Sequence, residues 1–156
     1  MPSVLLPVPH YKQEGSYNCL PACTRMVLAY LGKSISEQAL ASQLETTPLG
    51  TPGGRLLRLS RYHRVSVEYI PLTLDLLHFH LRNDTPVIIL VRTIFLDYWE
   101  KDTAHAVVVV GYDGETLLIN DPAFLEAPQK ATNNGLLAAW GEYDFYTGLL
   151  TKSSLK

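Results

Sequence analysis

Three β-branched segments crowd the second half of the chain: Pro86–Arg92 (PVIILVR), His105–Tyr112 (HAVVVVGY) and Thr116–Asp121 (TLLIND). The last two are separated by Asp113-Gly114-Glu115. That is a hairpin signal, because glycine tolerates the positive φ a tight turn needs. Val65–Ile70 alternates in the manner of a strand, and Tyr143–Leu150 reads as a closing strand. The sheet these segments predict is antiparallel.

The first half has helical periodicity instead. Cys19–Leu31 (CLPACTRMVLAYL) places Ala22, Met26, Ala29 and Tyr30 on one stripe, and Gly32 closes the segment. Asn18 or Ser16 is the expected cap, and Pro21 fits the first turn, where its missing N–H costs nothing. Ser34 begins S-I-S-E, an apparent capping box opening a second helix through about Leu44. Arg55–His63 reads as a third helix with Leu56, Leu59 and Tyr62 inward, and Thr73–Asn83 as a short one capped by Thr73. Gly135–Trp140 reads as a helical turn. Helices first and an antiparallel sheet second predict an α+β fold. The expected organisation is one domain over residues 1–156, with a helical half at about 13–83 and a sheet half at about 84–150.

The bulk properties remove several function classes. A net charge of −2 with scattered Lys and Arg offers no basic stripe for nucleic acid. The apolar runs are too short to span a bilayer, and the N-terminus lacks a basic region and a cleavage site. Two cysteines cannot form the disulfide framework of a secreted scaffold, so a cytoplasmic location is expected.

Both cysteines lie in Gln13–Cys23 (QEGSYNCLPAC). Cys19 stands where a helix start concentrates unpaired N–H groups and the positive end of the dipole, which favours a negative charge. An activated thiol needs a proton acceptor, and His105 at the lip of a valine strand is the candidate. Asp121 ends the strand that hairpins back and would orient the imidazole as a near cross-strand partner. Asn120 points to the opposite face. An acyl-transfer site also needs oxyanion donors: the Cys19 N–H is one, and the Gln13 side-chain amide the other. Other readings remain open at this level. Cys19 could be a small buried residue, half of a Cys19–Cys23 disulfide, or a metal ligand with Cys23 and His105. The metal signal is weak, since structural zinc usually takes four ligands. No cofactor or metal site is expected.

The pattern Q-x5-C-x-P-A-C-x-x-M-V-L-A-Y-L-G (Gln13–Gly32), followed by H-A-V-V-V-V-G-Y and N-D-P-A, resembles the C39 peptidase family. Those are papain-like cysteine peptidases, best known as N-terminal domains of bacteriocin-exporting ABC transporters, where they cut leader peptides after a double glycine. The resemblance runs over roughly Pro7–Leu150. It implies a papain-like fold, Cys19 as nucleophile, His105 as general base, Asp121 as its orienting residue and Gln13 as the oxyanion-hole glutamine. Cys23 matches the family's second, non-catalytic cysteine. It further implies a peptide or protein substrate, a Gly-Gly-type leader among the candidates, and association with an export system. Where the family commonly has Asp-Cys-Gly, this chain has Asn18-Cys19-Leu20. No membrane-spanning region or ATPase follows, so a freestanding domain or part of a larger protein is expected. Tyr17, Leu20, the Leu49–Gly54 loop and Trp99 are candidate cleft walls. Some relatives only bind their cargo, which makes a non-catalytic peptide-binding module the alternative.

Overall fold

The computed structural model describes residues 3–153. The apolar strands form one antiparallel sheet. In chain order they are β1 (Ser3–Leu5), β2 (Val65–Pro71), β3 (Val87–Arg92), β4 (Ala104–Asp113), β5 (Thr116–Asn120), β6 (Gln129–Thr132) and β7 (Tyr146–Lys152). The order across the sheet is β2-β7-β3-β4-β5-β6, and β1 pairs with β4. β4 is central and buried from His105 through Tyr112. The β4–β5 turn uses Gly114 at φ 61° as the first of two loop residues, so the left-handed conformation falls on a residue without a Cβ. Gly111 has a different reason. A Cβ there would sit 2.1 Å from the Val4 carbonyl oxygen, so only glycine lets β1 lie along β4.

The helices are α1 (Cys19–Tyr30), α2 (Glu37–Gln43), α3 (Leu74–Arg82) and α4 (Asn133–Gly141). α1 packs on β4 and α2. It is buried on more sides than a single stripe requires: Leu20 through Thr24 and Met26 through Leu28 are all enclosed. α3 and α4 are capped by Thr73 and Thr132, each accepting from the backbone N–H three residues on.

Three local expectations are corrected. α2 is capped by Ser36, whose hydroxyl accepts from Ala39 N at 3.1 Å, and not by Ser34. Glu37 is therefore the first helical residue and faces inward, away from any capping box. Gly53–Arg61 is a 3-10 helix in place of an α-helix. Gly53, Leu56 and Leu59 are its buried residues, three apart, matching three residues per turn. Tyr62 falls after that helix and is exposed. β1, β2 and β6 also draw sheet edges from segments outside the central apolar runs, two of them from before residue 84.

Candidate active site

Cys19 is the first residue of α1, half-buried, and its N–H has no intrahelical partner by position. Asn18 occupies the N-cap position but makes no side-chain cap. Its Nδ2 instead donates to Glu37 Oε2 at 3.0 Å. The capping role expected for the Asn18 side chain is thus exchanged for a contact across to α2.

His105 is the second residue of β4 and is buried. Its Nε2 bonds Asp121 Oδ1 at 2.7 Å, and its ring is close enough to the Cys19 side chain to feel it electrostatically. With Nε2 taken by the carboxylate, Nδ1 is the nitrogen left for sulfur. The strand register puts Asp121 one step beyond the Val108–Asn120 pair, opposite Val107. His105 and Asp121 are therefore diagonal neighbours on one face, two residues out of register, and not directly opposite. The bulge between Val109 and Gly111 cuts this offset from three residues to two, which is what brings both side chains onto one face. Asn120 points the other way and donates to Val8 O at 3.1 Å.

Asp121 is fully buried, and both of its oxygens are occupied. Oδ1 accepts from His105 and from Ala123 N at 2.9 Å, and Oδ2 from Tyr98 Oη and Trp99 Nε1, each at 2.8 Å. Burial pushes this carboxyl up. The hydrogen bond and charge of His105, together with the bonds from Ala123 N and Trp99 Nε1, outweigh burial and hold it below the usual carboxylate range. Burial likewise pulls the imidazole down, but the hydrogen bond to Asp121 and the interaction with Cys19, with their charges, raise it to about 9. Such a ring carries its proton at neutral pH. Cys23, one turn further along α1, is fully buried, and burial raises its thiol well above normal. Both cysteines are free thiols. Among the described residues, no group of three or more His, Cys, Asp or Glu side chains is placed to hold a metal ion.

Gln13 approaches in extended chain, with its N–H on Pro122 O at 2.7 Å. Its Nε2 donates to Gly15 O at 2.9 Å and makes only a long 3.4 Å contact with Ser16 O. One amide proton is firmly held, and the other makes the longer, weaker bond.

Two open cavities meet at Cys19 and His105. One, of about 550 Å³, is walled by Gln13, Ser16, Tyr17, Trp99 and Thr103. The other, of about 540 Å³, is walled by Leu20, Thr51, Pro52, Leu90 and Tyr143. Leu49 and Gly50 border both, at the tip of a tight turn closed by paired Thr47 and Gly50 bonds. A chain lying through both cavities would cross the sulfur.

Sequence reasoning missed Tyr98 and Glu37 and gave Trp99 only a wall or packing role. Trp99 packs its ring edge-on against His105, centroids 5.2 Å apart, besides donating to Asp121. No local spacing announces a Tyr-Trp pair on a loop as a carboxylate clamp. Glu37 did carry a signal, but as the last letter of an apparent capping box.

A sequence model of the Peptidase_C39 like family matches residues 5–147, nearly the whole length. The chain belongs to the Peptidase_C39 like family. Solved structures agree on the C39 fold. A protein from Bacillus anthracis assigned as a C39-like peptidase superposes with a TM-score of 0.80 at 19% identity, covering 99% of this chain and 100% of its own. The peptidase domain of Streptococcus ComA, a bifunctional ABC transporter involved in quorum sensing, gives 0.76 at 19% identity, covering 92% and 98%. A double glycine motif protease from an AMS/PCAT transporter, in complex with the leader peptide, gives 0.76 at 19% identity, covering 96% and 95%. No curated protein sequence matches the chain significantly. Among the described residues of this C39-like chain, no helix is long and apolar enough to cross a membrane.

Proposed function

We propose that this chain is a cysteine endopeptidase acting in the cytoplasm, with Cys19 as nucleophile, His105 as general base and acid, and Asp121 as the group that orients the imidazole. The observation that carries this reading is the imidazole itself. One of its nitrogens is fixed by a buried, fully bonded carboxylate, and the ring shares the wall of an open cleft with a half-buried thiol at a helix start, near enough to be shifted by it.

The steps follow from that geometry. The Cys19 thiolate attacks the peptide carbonyl carbon, and the carbonyl electrons move to oxygen. The Cys19 N–H and the Gln13 amide proton now on the long bond to Ser16 O hold this oxyanion, each donor contributing on the order of 3 kcal/mol in comparable sites. The C–N bond breaks as His105 passes its proton to the leaving amine. Water then attacks the thioester, His105 takes the water's proton, and the carboxylate product departs. Because the cleft continues on both sides of the sulfur, an internal bond of a peptide or protein segment is the substrate this reading favours. A Gly-Gly-type leader is the first candidate, by likeness to the leader-bound transporter protease.

The test is peptide cleavage from a diverse library read by mass spectrometry, with Cys19→Ala as control. Cleavage that disappears in Cys19→Ala supports the reading; cleavage at the wild-type rate in that variant contradicts it. Iodoacetamide labelling separates enzyme from binding module. Cys19 should react much faster than Cys23, and the rate should fall in His105→Ala. Equal, slow labelling of both thiols with no cleavage would indicate a module that only holds peptides.

A further inference from the structure

Among the described residues two carboxylates are buried, Asp121 and Glu37. The proposed mechanism uses the first and leaves the second unexplained. Glu37 is 1% exposed and has no cationic partner among the ion pairs of the described residues. A lone buried carboxylate is costly unless donors replace its water. Here they do, and all come from one short segment. Glu14 N donates to Oε1 at 3.0 Å and Oε2 at 2.9 Å, Gly15 N to Oε2 at 3.0 Å, and Asn18 Nδ2 to Oε2 at 3.0 Å.

Those donors belong to the loop joining Gln13 to Cys19, the two proposed sources of oxyanion hydrogen bonds. The connection is direct at Gly15: its N–H is held by Glu37, and its carbonyl accepts the Gln13 side-chain amide. Fixing the flanking peptide groups therefore fixes where the Gln13 amide points. Asn18, the residue before the nucleophile, is pinned by the same oxygen. A Cβ at position 15 would lie 2.6 Å from Asn18 Nδ2, so a side chain there would displace the Asn18 amide from Glu37.

We infer that Glu37 is a positioning residue whose carboxylate, by gathering Glu14 N, Gly15 N and Asn18 Nδ2, sets the Gln13 amide and the Cys19 N–H as an oxyanion site. It never touches substrate. The inference rests on the peptidase reading, and it predicts a selective defect: chemistry that builds an oxyanion should suffer, and chemistry at the sulfur alone should not.

Two probes separate these. Iodoacetamide alkylates the thiolate by displacement at a saturated carbon, with no oxyanion. 4-Nitrophenyl acetate acylates it through a tetrahedral oxyanion, releasing 4-nitrophenolate as the C–O bond breaks. In Glu37→Gln, one acceptor oxygen becomes a donor facing the loop amides. The acylation burst should slow roughly 100-fold, as for Gln13→Ala, because small misplacements of such donors carry costs of that size. Alkylation of Cys19 should stay within about twofold of wild type. Glu37→Asp, which keeps both oxygens one methylene back, should recover part of the burst, and it is read in the same way if the Gln variant does not fold. A Glu37 variant that acylates at the wild-type rate, or loses both reactions in proportion, overturns the inference. If wild-type protein shows no burst and labels Cys19 no faster than Cys23, the peptidase reading itself has failed.

Discussion

A single carboxylate, Asp121, decides how the site behaves. Its four donors leave no lone pair for water, so it can hold His105 charged without gaining a proton itself. Two pH effects follow. His105 is raised from the ordinary value near 6.5 to about 9 in the folded chain. Its contribution to stability is fully present below the ordinary value and is lost as pH rises through about 9. Asp121 runs the other way: it is lowered, so its contribution is present above the ordinary carboxylate value and is lost as pH falls through the depressed one. Under the proposed mechanism, turnover should accordingly fall on the alkaline side near 9, where the imidazolium proposed to protonate the leaving amine disappears; a pH–rate profile checks this. Trp99→Phe removes one of the two donors to Oδ2 and should cost about 1.5–3 kcal/mol, measured by denaturation, because the bond goes to a charged group.

Elements show where local pattern was enough and where it was not. The β4–β5 hairpin and α1 follow from their own residues: a glycine at the turn, apolar runs on either side, and a helix that begins beside a proline-tolerant first turn. β1 and β6 do not. β1 has three residues among prolines and exists because Gly111 admits its backbone; β6 has one buried residue of four. Both are long-range pairings with little local propensity. Gly111→Ala should push β1 off β4 at a cost of about 1–3 kcal/mol, since the Val4 carbonyl is backbone and cannot rotate away. Urea denaturation would read it. The second-helix start was misjudged for a related reason. Ser34 and Ser36 both fit a cap by type, and only the packing of Glu37 into the loop before α1 selects Ser36.

At the scale of the whole molecule, the cleft lies where the N-terminal end of α1 meets the end of the sheet at which β3 runs out and β4 begins, so each half supplies what the other lacks. That Cys19, His105 and Asp121 come together was legible because each stands at or beside an element's end, whereas Gln13, in the loop before α1, was marked only by its spacing to Cys19. Tyr98, Trp99 and Glu37 were not, since their role depends on where remote segments meet. The Leu49 turn is likewise a product of tertiary placement. Leu49 is 99% exposed and borders both cavities, so Leu49→Ser should leave stability within about 0.5 kcal/mol while raising KM for peptides; calorimetry and steady-state kinetics would separate the two.

The account stands on coupling between sulfur and imidazole across that junction. NMR titration of the His105 ring in wild type and in Cys19→Ala measures it most directly. The wild-type ring should titrate near 9, and the variant clearly lower, because the contribution of Cys19 is gone while that of Asp121 remains. A ring that titrates at the same pH in both proteins would contradict the pairing.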